Sequence, residues 1–219
     1  KAAAQALEAS EGDIEFAGGR FTITGTDRSI GIMDLAQRLR EGKVPEGGPS
    51  SLDVDHATKE TVSTFPNGCH VAEVEIDPDT GIVKVVRYNA VNDFGVVVNP
   101  MIVAGQLHGG VVQGIGQALM EEVNYDSSGQ PITGSFMDYA MPRAGDVPMM
   151  GIGDHPSPAK TNPLGTKGCG EAGCAGSLCV IVNAVIDALS EYGITEINMP
   201  LTPEKVWRAI RDAQKAKAA

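Results

Sequence analysis

Asn99-Pro100-Met101-Ile102-Val103-Ala104-Gly105-Gln106-Leu107-His108-Gly109-Gly110-Val111-Val112-Gln113-Gly114-Ile115-Gly116-Gln117-Ala118-Leu119 places one long helix in the middle of this chain. Asn99 is a good N-cap and Pro100 suits the first helical position, so the spacing predicts a helix over residues 99–122. At about 100° per residue, Ala104, Val111, Ile115, Ala118 and Leu119 share a core-facing side. His108 lies among them and reads as a hydrogen-bonded core histidine. The opposite side carries Gln106, Gly110, Gln113 and Gln117, where a solvated helix more often shows Lys and Glu. Five glycines fall in this helix, although each costs about 1 kcal/mol relative to alanine. Something must therefore approach the backbone closely. Two partners meet that requirement: a neighbouring helix or strand, or a ligand lying along the amide stripe and gripped by the donor and acceptor of Gln106.

Outward from the helix, the second unusual stretch is Gly165-Thr166-Lys167-Gly168-Cys169-Gly170-Glu171-Ala172-Gly173, just ahead of an apolar helix predicted over residues 175–191. Such a loop presents backbone N–H groups toward a helix N-terminus, where anionic or electron-rich atoms are favoured. Gly168, Gly170 and Gly173 fit the pattern G-x-G-x-x-G, but residues 158–163 do not form a strand, as a dinucleotide fingerprint requires. Glu171 has two readings from the residues alone. It is a carboxylate favoured at a helix start by about 0.3–1 kcal/mol, or a base beside a ligand.

The remaining elements follow from local pattern. A first helix covers residues 1–7. Residues 13–16 and 21–24 read as a hairpin around Gly18-Gly19, and a second helix covers residues 32–40. Residues 41–53, rich in Gly, Pro and Ser, read as a linker, dividing the chain into a helix–hairpin–helix segment (1–52) and a larger subdomain (53–219). Over residues 70–77, Ala72, Val74 and Ile76 alternate with Glu73, Glu75 and Asp77. Pro78-Asp79-Thr80-Gly81 then turns the chain into residues 82–91, giving a half-buried β-hairpin. Thr202-Pro203-Glu204 opens a last helix whose tail, 215–219, is expected to fray. The fold class is mixed α/β (α+β).

With 219 residues and 42% hydrophobic content the chain can bury a real core. A formal net charge of −11 with no basic run argues against nucleic acid and against an anionic membrane surface. The apolar runs look too short and too interrupted to cross a bilayer, and no signal-peptide layout is present. A soluble, cytoplasmic protein is expected. The four cysteines, at 69, 169, 174 and 179, form no C-x-x-C pair and the four histidines are scattered, so free thiols and no protein-ligated metal are expected. The start at Lys1, within a helix-forming stretch, reads as a piece of a longer protein.

Taken together, Asn99-Pro100, Gly105-Gln106-Leu107-His108-Gly109-Gly110, Gln113-Gly114-Ile115-Gly116, Asp138-Tyr139, Pro142 and Lys167-Gly168-Cys169-Gly170-Glu171 resemble the C-terminal part of the molybdopterin-binding subunit of the xanthine dehydrogenase/aldehyde oxidase family. The hairpin Val74-Glu75-Ile76-Asp77-Pro78-Asp79-Thr80-Gly81, Asn92-Asp93-Phe94-Gly95 and the terminal stretch from Val182 to Trp207 are similar to the same family in the same order. The residues after the glutamate, Ala172-Gly173-Cys174, look more like the bacterial aldehyde, CO and N-heterocycle branches.

The resemblance implies the C-terminal portion of that family's molybdenum cofactor-binding domain. It implies Glu171 as the catalytic base, taking a proton at the molybdenum centre while water-derived oxygen enters an electron-poor carbon. Gln106 would hydrogen-bond the pyranopterin. Gly109, Gly110 and Gln113 on the long helix, with Lys167, Gly168, Cys169 and Gly170 in the loop, would receive the cofactor. That cofactor is molybdopterin with molybdenum, in bacterial members commonly as the cytosine dinucleotide. Electrons would leave through [2Fe–2S] clusters and FAD on partner subunits, because this chain has no cysteine pattern for a cluster. The partners implied are the N-terminal half of the molybdenum subunit, an Fe–S subunit, a FAD subunit and a small-molecule substrate: an aldehyde, an aromatic N-heterocycle or CO. The segment is expected to be inactive alone. A split subunit or assembly module that contacts the cofactor without chemistry is the alternative.

Overall fold

The computed structural model describes residues 1–43, 48–57 and 62–218. The chain divides into two units, Lys1–Thr61 and Val62–Ala219, each treated by itself below. Part of the expected linker, residues 44–47, lies outside the described residues.

In the first unit, helix α1 (Ala2–Leu7) precedes strands β1 (Ile14–Ala17), β2 (Arg20–Ile23) and β3 (Ser29–Gly31), followed by helix α2 (Ile32–Arg40). The three strands form one antiparallel sheet in the order β1-β2-β3. Ala2, Ala3, Leu7, Ile30, Leu35 and Leu39 form its core. β3 was not anticipated, because three residues are too short to show a period.

The second unit is built on a hairpin of β4 (Asn67–Ile76) and β5 (Val83–Asp93), with β6 (Gly151–Asp154) added parallel to β5. The alternation read over residues 70–77 is the pleat of β4, whose even-numbered side chains from His70 to Ile76 are half-buried and whose odd-numbered ones are exposed. Opposite it, the register passes from Glu73↔Arg87 to Val74↔Val85. Val86 is the extra residue of a β-bulge, so the buried side chains of β5 step from Val85 to Tyr88 before resuming at Ala90 and Asn92. β6 was missed, since Gly-Ile-Gly-Asp has no alternation of its own and is a strand only through pairing with β5.

The hairpin turn is held by Asp77, which accepts from the Asp79 N–H at 2.9 Å and the Thr80 hydroxyl at 2.8 Å. Gly81 has φ +74°, and a Cβ there would lie 2.6 Å from the Trp207 backbone nitrogen. Glycine is therefore required where helix α5 (Pro203–Ala218) crosses the turn. α5 is helical to Ala218, and residue 219, the last of the tail expected to fray, lies outside the described residues. Lys217 donates to the Glu191 carbonyl at 2.8 Å and helps hold that end.

Helix α3 (Pro100–Leu119) begins as read, with the Asn99 side chain accepting from the Ile102 N–H at 3.2 Å. It packs against helix α4 (Ala172–Leu189), which also lies on β4. Leu107, Val111, Ile115, Ala118 and Leu119 of α3 join Ile181, Val185 and Leu189 of α4, Tyr88 and Phe94 of the β5 region and Val206 and Ile210 of α5 in one core. Burying each Val, Leu, Ile or Phe among them contributes roughly 1.5–3 kcal/mol.

Four of the five glycines of α3 divide into two groups, while a Cβ at the fifth, Gly116, would meet Glu121 and Pro142. A Cβ at Gly110 would come within 3.1 Å of the Gly173 Cα and the Cys174 nitrogen, and one at Gly114 would strike the Ser177 hydroxyl. These two are buried in the α3–α4 crossing, which corrects the placement of Gly110 on the open stripe. Gly105 and Gly109 have nothing within 4 Å and are exposed beside Gln106, Gln113 and Gln117.

α4 with the turn that follows, Ala172–Tyr192, is 21 residues long and apolar enough by length and composition to span a bilayer. That corrects the expectation that no run could do so. Here Gly173, Ser177, Ile181, Val185 and Leu189 are buried at a spacing of four, the pattern of a core helix with one inward face.

Candidate functional site

The loop of residues 165–171 is anchored at the C-terminal end of β5. Lys167 Nζ lies 2.5 Å from Asp93 Oδ2, with the two side chains 13% and 14% exposed. Asp93 also accepts from the Gly95 and Ser157 N–H groups, each at 2.9 Å. The Lys167 ammonium, then these two N–H groups, hold the Asp93 carboxyl down to about 2. The Lys167 N–H donates to the Phe94 carbonyl at 2.9 Å, so backbone and side chain of one residue are both tied to β5. Asn162 brackets the preceding residue, accepting from the Thr166 N–H at 3.1 Å and donating to its carbonyl at 2.9 Å.

A second anchor comes from α3. Gln106 Nε2 donates to the Gly170 carbonyl at 2.8 Å. Between the anchors, Gly168 and Gly170 are exposed and Cys169 is half-buried against the main core. The N–H groups of Gly168, Cys169 and Gly170 have no acceptor among the described residues. Glu171 stands at the N-cap of α4, exposed, and its side chain makes no capping bond. The helix starts at Ala172, three residues before the expected position, which puts Glu171 directly at its positive end.

Thus Gln106, Gly168, Cys169, Gly170 and Glu171 come together, with Gly109 and Gln113 exposed one and two turns along the Gln106 face of α3. Gly110 does not face the same surface, being covered by Gly173. The Lys167 ammonium is directed to Asp93. His108 is half-buried, with Nδ1 2.7 Å from the Ala104 carbonyl oxygen. Tyr139 donates to Glu121 at 2.6 Å, tying the Asp138-Tyr139 stretch to the end of α3. All four cysteines are free thiols.

Glu171 also borders a cleft of about 530 Å³ between α4 and the β4–β5 hairpin, lined by His70, Asn92, Ala175, Cys179 and Asn183 among others. His70 Nδ1 is 2.7 Å from the Tyr88 hydroxyl and Nε2 is 3.3 Å from Asn92 Oδ1. Burial pushes the Tyr88 phenol up, so it stays protonated and available to this network. His70 and Tyr88 were missed in the sequence, and Asn92 and Asp93 entered only as part of the Asn92-Asp93-Phe94-Gly95 motif, with no role in the site. Asn92 did leave a signal: a polar residue at a core-facing strand position must have a reason to be there. Asp93 stood in the Asn92-Asp93-Phe94-Gly95 motif, but its pairing with Lys167, 74 positions away, left no local signal.

Residues 1–148 match the family model described as the molybdopterin cofactor-binding domain. The chain belongs to that family. The large subunit of nicotine 6-hydroxylase from Paenarthrobacter nicotinovorans is 41% identical over 95% of this molybdopterin-domain chain and 26% of its own length. Among solved structures, CO dehydrogenase from Oligotropha carboxidovorans superposes with a TM-score of 0.86 at 30% identity, over 98% of this chain and 27% of its own. Quinoline 2-oxidoreductase from Pseudomonas putida 86 gives 0.85 at 34% identity, over 96% and 27%. The molybdopterin-domain chain thus spans about a quarter of the length of the relatives it matches. The mixed α/β fold and the kinship with xanthine dehydrogenase/aldehyde oxidase-type molybdenum subunits are as read from the motifs, and the family is one of molybdenum oxidoreductases.

Proposed function

We propose that this chain is part of the molybdenum subunit of a hydroxylase or dehydrogenase, receiving molybdopterin against the 167–171 loop and the exposed face of α3, with Glu171 as the base. The observation that carries this is one surface. Three loop N–H groups without an acceptor among the described residues, the exposed Gly109 and Gln113, and a carboxylate that makes no capping bond lie around the Gln106–Gly170 bond.

The residues fit the group. A pterin and its phosphate are rich in acceptor atoms, and unpaired backbone donors at a helix N-terminus suit them. Gly109 and Gly170 have open space where a side chain would otherwise stand. When bound, the molybdenum centre supplies a two-electron acceptor for oxidation with oxygen from water. The chain's own part is positional. Gly168, Cys169 and Gly170 donate to the cofactor, Gln106 fixes the loop and keeps its Oε1 as an acceptor, and Glu171 takes and holds the proton released at the reacting centre. Lys167 serves this site through its backbone and its ion pair rather than by a free ammonium.

The finer reading is molybdopterin cytosine dinucleotide as the cofactor form, with electrons passing to [2Fe–2S] clusters and FAD on partner subunits of a soluble, cytoplasmic complex. The rest of the molybdenum subunit closes the cofactor cleft, because catalysis of this kind depends on a dry, shaped pocket. The substrate is an aldehyde, an aromatic N-heterocycle or CO. The decisive measurement is molybdenum content, together with the nucleotide freed by acid hydrolysis, on the complex that co-purifies with this chain. Near one molybdenum and one CMP per chain is expected; a folded, intact complex holding neither would overturn the reading.

A further inference from the structure

The proposed base stands on a loop with little structure of its own. Among the described residues, no N–H group beyond Lys167 finds an acceptor until α4 begins, and two of the residues there, Gly168 and Gly170, have no side chain to pack. Glycine-rich backbone is the softest available, so besides Cys169, packed on the main core, and the first turn of α4, where the Glu171 carbonyl accepts from the Ala175 N–H at 2.9 Å, the loop depends on two hydrogen-bonding anchors. One is Gln106. The other is Lys167, held at the end of β5 by the Phe94 carbonyl and the Asp93 carboxylate, next to Thr166, which Asn162 brackets. Asp93 is in turn held by two backbone N–H groups from different segments, Gly95 and Ser157. Its orientation is thereby set independently of the lysine.

We propose that Asp93 and Lys167 are a positioning pair that transmits the rigidity of the β4–β5 sheet to the loop and so places Glu171 at its reacting proton. This rests on the reading of Glu171 as the base. A mostly buried ion pair contributes little net stability, because desolvation offsets the attraction, and its best-attested use is to fix geometry. Placement matters here because a displacement of about 1 Å at a catalytic group can cost roughly 10²-fold in rate. The partners of Asp93 are Lys167 and the Gly95 and Ser157 N–H groups, so in this proposal it acts through Lys167.

The test uses the complete, purified enzyme complex. Asp93→Asn should lower kcat by about 10- to 100-fold with KM within about twofold, molybdenum content unchanged, and faster amide hydrogen exchange over residues 168–171. Because a lone buried lysine can unfold the protein, the paired change Asp93→Leu with Lys167→Met supplies a second variant without an unpaired charge. It should fold, hold molybdenum and stay as slow as Asp93→Asn. In a Glu171→Gln background, Asp93→Asn should cause no further loss, since the residue it positions is gone. Wild-type kcat in Asp93→Asn, or an equal loss in both backgrounds, overturns the positioning role while the base assignment stands. Wild-type turnover in Glu171→Gln overturns the base assignment itself.

Discussion

Gln106 on α3 and Gly170 in the loop before α4, 64 positions apart in sequence, are joined by a 2.8 Å bond from the side-chain amide to the backbone carbonyl. Gln106, one of three glutamines on this helix, thus supports the loop carrying Glu171. Replacing it with alanine removes a bond contributing roughly 0.5–1.5 kcal/mol, a factor of about 2–10 in cofactor affinity. Molybdenum content per complex should fall. Gln106→Glu should be worse, because it sets a carboxylate against the Gly170 carbonyl. Full molybdenum occupancy in both variants would show that the bond has no part in cofactor retention.

Glu171→Gln keeps the shape of the N-cap residue and removes the proton acceptor. Turnover of the complete enzyme should drop by about 10²–10⁴-fold, the range general-base groups contribute, with molybdenum content intact. Undiminished turnover at full molybdenum would sink the assignment.

The two groups of glycines on α3 predict opposite outcomes. Gly114→Ala forces a methyl into the Ser177 hydroxyl and should destabilise the protein by about 1–3 kcal/mol, read as a lower denaturation midpoint. Gly109→Ala meets nothing and removes a helix-interior glycine, a gain of up to about 1 kcal/mol. If the cofactor lies along this face, the same variant should nevertheless bind less molybdenum. Improved stability with normal molybdenum would place the cofactor elsewhere.

Asp93 makes the loop anchor sensitive to acid. Its carboxyl titrates at about 2 when folded against about 3.9 in an unfolded chain, so the folded state binds fewer protons between these values. The stabilisation is fully present above about pH 4 and is lost as pH falls toward 2. Denaturant midpoints measured across that interval should fall less steeply in Asp93→Asn than in the natural protein. Parallel slopes would mean that the Lys167 pair does not act on the carboxylate in solution.

The sequence by itself determined what depends on near neighbours. The N-caps before α3 and α5, the period of α3, the alternation of β4 and the Pro78-Asp79-Thr80-Gly81 turn are each set by residues within one or two turns of each other, so they could be read in order. The motifs around Gln106 and Glu171 likewise pointed to the family and to the segments that meet. Tertiary structure alone decided how those segments share the work. Gly110 and Gly114 carry the same sequence signal as Gly109, yet the first two admit α4 and the last stays open, because only packing distinguishes a glycine that receives a helix from one that faces outward. β6 exists only by pairing with β5. The Lys167 ammonium lies against Asp93, a charge brought to it by the β5 end from 74 residues away, a distance over which no local pattern shows a pairing.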